Sequence, residues 1–86
     1  MSFKYSSRLK KQYIRLSKRE KEKKKKRLEL LLEDEFNPIL KNHKLQGEYE
    51  RYRSINITGD VRIVYRKIKK NMYFLEAIGS HSELYS

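Results

Sequence analysis

The chain contains no cysteine, a single proline, three glycines and only two histidines in 86 residues. Without cysteine there is neither a disulfide framework nor a thiolate metal site, so packing or a bound partner has to supply stability, and the composition is neutral about redox compartment. No apolar run approaches the roughly 18 residues that span a bilayer. The start Met1-Ser2-Phe3-Lys4-Tyr5 also lacks an apolar signal core, so a cytoplasmic protein with no membrane association is the expectation. A chain this short makes one domain, residues 1–86, and buries only about 60% of the surface its unfolded form exposes. The core should therefore be thin.

Positive charge is what the chain has in excess. Lys and Arg number 22 against 11 Asp and Glu, a formal net charge of +11, and seven tyrosines accompany them. This is the footprint of a polyanion binder, although solubility or an acidic protein partner would use the same charge.

The texture changes once, at Asn37-Pro38. Upstream, Ser6 or Ser7 can cap a helix that lays Leu9, Tyr13 and Leu16 on one face. Residues Lys18 to Arg27 are all charged, eight basic and two acidic, and run without Gly or Pro into Leu28, Leu30, Leu31 and Leu32. A second helix is expected there, with the break between the two around Ser17 to Glu20. The block Lys23-Lys24-Lys25-Lys26-Arg27 reads as a solvated helix face whose lysine stems cover apolar surface, or as an RNA-gripping motif. Downstream the pattern is β. Residues Glu48 to Ile57 alternate, Thr58-Gly59-Asp60 is a turn, and strands Val61 to Ile68 and Met72 to Ile78 are linked by Lys69-Lys70-Asn71. The reading is an α+β domain, helical over 6–36 and sheet over 48–86. Two N-terminal helices pack on one face of a three- to four-stranded, mainly antiparallel sheet, and the other face stays open as a basic, aromatic platform.

His81 falls just past the end of the last strand, in Gly79-Ser80-His81-Ser82-Glu83-Leu84-Tyr85. A nuclease that uses the substrate's own 2′-hydroxyl needs a base, an acid for the 5′-oxygen and cations on the phosphate, and histidine suits the first two roles near neutral pH. Each candidate also has a plainer reading. Ser80-x-x-Glu83 is a capping box in which His81 is merely a polar residue, and His43 is an exposed loop histidine. Asp60 makes a turn with Thr58-Gly59, Tyr85 plugs the C-terminus, and Tyr52 and Tyr65 are packing residues.

Taken together, Asn42-His43-Lys44-Leu45-Gln46-Gly47, Tyr52-Arg53-Ser54-Ile55-Asn56-Ile57, Gly59-Asp60-Val61-Arg62-Ile63-Val64-Tyr65 and Ile78-Gly79-Ser80-His81-Ser82-Glu83-Leu84-Tyr85 resemble the YafQ branch of the RelE/ParE toxin superfamily. The resemblance covers the C-terminal half in order and spacing. It implies a RelE-like fold and the toxin of a type II toxin-antitoxin pair, an endoribonuclease that cuts mRNA in the ribosomal A site, needs no metal or other cofactor, and is held by a cognate antitoxin. Carried onto this chain, the catalytic positions are His43, Asp60 and His81, with His81 as acid and His43 or Asp60 as base. RNA contacts fall on Lys44, Arg53, Asn56, Arg62 and Tyr85. Three positions depart from the pattern, with Asn56 where some relatives have histidine, Val61 where they have tryptophan and Ala77 where they have arginine. The phosphate cation is then Arg62 or Arg53. The other classes in view are a catalytically weak RNA- or ribosome-binding module and a ParE-like gyrase inhibitor.

Overall fold

A computed structural model describes residues 2–85; Met1 and Ser86 lie outside it. The chain runs β1 (Ser2–Tyr5), α1 (Ser7–Tyr13), α2 (Lys18–Glu33), a 3₁₀ turn (Pro38–Leu40), β2 (His43–Lys44), a second 3₁₀ turn (Gly47–Tyr49), β3 (Arg53–Asn56), β4 (Val61–Lys69), β5 (Met72–Ser80) and α3 (His81–Tyr85). The five strands form one sheet in the order β1-β5-β4-β3-β2. Only β1 is parallel to its neighbour. Among the described residues no helix is long and apolar enough to cross a membrane.

Local chemistry sets the helix ends. Ser6 caps α1 by accepting from the Leu9 amide at 2.9 Å, and its hydroxyl donates to the Glu76 carbonyl, which ties the helix start to β5. Ser17 and Glu20 close a capping box on α2, with bonds of 3.1 and 2.8 Å. Such a cap is worth about 1 kcal/mol, and it fixes where a very basic helix begins. β5 runs on past the end of β1, so the Ile78 amide has no strand partner on that side; Gln12 on α1 takes it at 2.8 Å.

Helices α1 and α2 cover one sheet face. Leu9, Leu28 and Leu31 meet Ile55, Ile57, Ile63, Tyr65, Leu75 and Ile78 there, and Tyr13 packs half-buried against them. Leu16, expected on the same helix face, lies past the end of α1 at Tyr13 and still packs against this core. Tyr65 is fully buried. Its hydroxyl accepts from Asn42 at 2.6 Å and donates to Glu35 at 3.0 Å, and burial pushes its pKa well above the ordinary tyrosine range.

Two expectations are corrected. The sheet has five strands rather than three or four, because the two-residue β2 and the N-terminal β1 add an edge on each side. Nor does the far face stay open. Val64, Ala77 and Leu84 form a second small core there, with Leu45, Tyr49, Tyr52 and Tyr85 packed against it. The stretch expected to begin β3 at Glu48 instead folds into the 3₁₀ turn, entered through Gly47 at φ +68, and brings Tyr49 onto this face. Tyr52 and Tyr65 are packing residues, as read.

Candidate functional site

Strand pairing decides what meets on the far face. His43 on β2 stands opposite Ser54, and Arg62 on β4 opposite Gly79, two residues before His81. The result is a shallow cleft of about 180 Å³ lined by His43, Leu45, Gln46, Tyr49, Arg62, His81 and Tyr85. Both histidines and Arg62 therefore converge from three separate elements. Arg62 is the one permanently charged group among the lining residues.

Both histidines have nameable contacts. His43 is exposed, and its Nδ1 lies 3.0 Å from the Lys41 carbonyl. A carbonyl only accepts, so in neutral imidazole Nδ1 carries the proton and Nε2 keeps the lone pair. The His81 ring rests against Tyr85 at 4.8 Å between centroids. Tyr85 in turn meets Tyr49 edge-on at 6.1 Å, and Tyr49 accepts from Arg8 on α1 at 2.7 Å. The Tyr85 hydroxyl is buried with no hydrogen-bond partner among the described residues, while its ring lies against His81 and lines the cleft.

The short helix that carries His81 is closed by the capping box the sequence announced: the Ser80 amide donates to Glu83 at 2.7 Å, and the Glu83 amide to the Ser80 hydroxyl at 3.2 Å. Gly79 is buried beneath it, and a Cβ there would sit 3.1 Å from the Glu83 carboxylate. The bonds from the Ser80 backbone and side chain hold the Glu83 pKa below the ordinary glutamate value. A depressed folded-state pKa means that this stabilisation is fully present above the unfolded pKa and is lost as pH falls through the folded one. Thermal midpoints of wild type and Glu83→Gln should therefore converge at the acid end, separate as pH rises from the depressed folded value into the ordinary carboxylate range, and keep a constant gap above it; a gap that persists in acid would mean the cap does not depend on the charge.

The remaining sequence candidates are elsewhere. Asp60 is exposed and lines a different cleft with Gln12, Arg15, Glu20, Ser80 and Glu83. Arg53 is turned to the helix side of the sheet, where its Nε donates to Asn42 at 2.6 Å and its guanidinium covers the Phe36 ring at 5.2 Å. Lys44 pairs with Arg53 on the outermost strand and does not line the histidine cleft. Asn56 stands across from Arg62 but opens onto a third, basic cleft. The position of the missing arginine, Ala77, is fully buried under the second core, and Val61 is buried against the first. Tyr49 and Gln46, which also line the cleft, were not among the sequence candidates, although Gln46 lies inside Asn42-His43-Lys44-Leu45-Gln46-Gly47. No group of three His, Cys, Asp or Glu side chains is placed to share a metal ion among the described residues.

Comparison with known proteins gives one family. The family model described as a bacterial toxin of type II toxin-antitoxin system, YafQ, matches residues 1–86. Among solved structures, YafQ from E. coli strain BL21(DE3) superposes with a TM-score of 0.83 at 24% identity, covering 98% of this chain and 97% of that one. The E. coli DinJ-YafQ toxin-antitoxin complex gives 0.80 at 26% identity over 98% and 96%. A YoeB/ParE toxin from Agrobacterium tumefaciens gives 0.80 at 22% over 94% and 99%. No curated protein matches the chain.

Proposed function

The chain belongs to the YafQ family of bacterial type II toxin-antitoxin toxins, and on that premise we propose that it is a metal-independent endoribonuclease cutting mRNA in the ribosomal A site. The observation that carries the reading is the convergence of His43, Arg62 and His81 in one cleft. Nε2 of His43 takes the proton of the substrate's 2′-hydroxyl, and the freed oxygen attacks the adjacent phosphorus. The bond to the 5′-oxygen breaks, His81 protonates that oxygen, and Arg62 neutralises the charge that builds on the phosphoryl oxygens. The products are a 2′,3′-cyclic phosphate and a 5′-hydroxyl end. His43 takes the base role over Asp60 because it shares the cleft with His81, whereas Asp60 opens onto another.

A second reading, an RNA- or ribosome-binding module without strong catalysis, is favoured by one observation: the position at which relatives carry an arginine is here the buried Ala77. Purified protein with programmed ribosomes separates the two. Cleavage fragments with cyclic-phosphate ends support the enzyme, a footprint without fragments the binder, and gyrase inhibition with neither would move the ParE-like reading ahead. The proposal includes a cognate acidic antitoxin, by analogy with the E. coli complex and from the charge of +11. Adding the product of the neighbouring antitoxin gene at saturation should stop cleavage, and undiminished cleavage would remove that part.

A further inference from the structure

The basic half of α2 divides its cations between two tasks. Lys21 and Lys24 lie over the Tyr13 ring at 5.0 and 4.7 Å, and Lys24 also approaches Tyr5 at 5.6 Å. Burial there lowers the Lys24 pKa, as befits a side chain that covers apolar surface. Arg19, Lys23 and Arg27 do something else. Spaced i, i+4 and i+8, they share one helix face and form a wall of a cleft of about 350 Å³, whose opposite side is Lys41, Asn56 and the Thr58-Gly59 turn. No carboxylate is among the lining residues. Four cations facing one another without a counter-charge repel, an arrangement that an incoming polyanion relieves.

We infer that this cleft is a backbone-binding track for single-stranded RNA, with Arg19, Lys23 and Arg27 engaging successive phosphates. Cations one helical turn apart are separated by about 6 Å along the axis, the order of the distance between neighbouring phosphates of an extended strand. Arg27 is already oriented, since its Nε points to the Ile57 carbonyl at 3.5 Å. Asn56 lines this cleft while its cross-strand partner Arg62 lines the histidine cleft, so neighbouring strand positions border both. RNA fits better than an acidic peptide because three of the wall's cations recur at one-turn intervals along α2, matching a repeating backbone charge.

The inference stands apart from the catalytic reading, since it is tested on RNA that is not cut. A labelled 2′-O-methyl oligonucleotide lacks the nucleophile, and its affinity for the full chain is measured by anisotropy across salt concentrations. Each single-strand phosphate contact contributes ~0.7 to the log–log slope. The variant Arg19→Gln/Lys23→Gln/Arg27→Gln should flatten that slope by about 2, while the equally charge-reduced Lys10→Gln/Lys11→Gln/Lys70→Gln, exposed positions that do not line the cleft, should change it little. Equal losses in the two variants, or none in the first, overturn the proposal. So does a first variant that keeps its RNA slope but loses affinity for polyglutamate, which would assign the cleft to an acidic peptide. If the triple variant does not melt as a folded protein, Arg19→Gln and Lys23→Gln are measured singly, each with an expected loss of ~0.7. A protein that binds through the track and cuts nothing leaves this inference standing and removes only the catalytic one.

Discussion

His81→Ala is expected to lower the rate of mRNA cleavage on programmed ribosomes by about 10² to 10⁴-fold, the usual contribution of a positioned general acid. The fold should survive, because His81 is exposed and the cap of α3 is made by Ser80 and Glu83 rather than by the imidazole. The cleft geometry extends the expectation to the other candidates. His43→Ala should fall by a similar order, whereas Asp60→Asn should stay close to wild type, because the aspartate lines a separate cleft. The pH profile gives an independent check: one histidine acting as base and one as acid produce a bell, and each alanine variant should lose one limb of it. Wild-type turnover in His81→Ala, or activity abolished by a chelator while the ribosomes remain intact, would sink the histidine mechanism.

Arg62→Ala is expected to cost about 10² to 10³-fold in kcat, the scale measured when a single preorganised donor to a developing oxyanion is removed. The reasoning is positional. Arg62 is half-buried, stands on a central strand, and is the one permanent cation lining the histidine cleft. Arg53, read from sequence as the other phosphate candidate, is engaged with Asn42 and Phe36 on the opposite side of the sheet. Arg53→Ala should accordingly act on stability more than on kcat. Arg62→Lys should recover part of the loss, since a point charge replaces some of what a planar fork supplies. If Arg62→Ala raises KM and leaves kcat alone, the guanidinium contributes to ground-state binding, and its assignment to the transition state is wrong.

How much of this was legible varies with the range of the interaction. A serine cap at Ser6 or Ser7, the Ser80-x-x-Glu83 box and the alternation of Val61, Ile63 and Tyr65 are encoded within a few residues and appear in the fold, the cap at Ser6. The break expected around Ser17 to Glu20 falls earlier, over 14–17, because Ser17 and Glu20 cap α2. The far face was not legible because of one extra residue. By period two, Tyr73, Leu75 and Ala77 share a side of β5. In the fold, Tyr65 pairs with Leu75 and Val64 with Ala77, so Glu76 is an insertion that reverses the alternation. Ala77 and Gly79 then face the second core and α3 while Ile78 joins the first.

The sequence by itself determined the class of the domain, its positive charge, the presence of two N-terminal helices and of two histidines in elements resembling those of one toxin family. It did so because capping, turn chemistry and periodicity are local, and a family's motifs are read residue by residue. Only the tertiary structure decided that His43, Arg62 and His81 share a cleft, that Asp60, Asn56 and Arg53 open onto other surfaces, and that α2 sends three of its cations to one groove. Those outcomes depend on strand register, on a bulge at Glu76 and on the packing of α2 across β3 and β4, pairings between residues far apart in the chain that no short window of sequence contains.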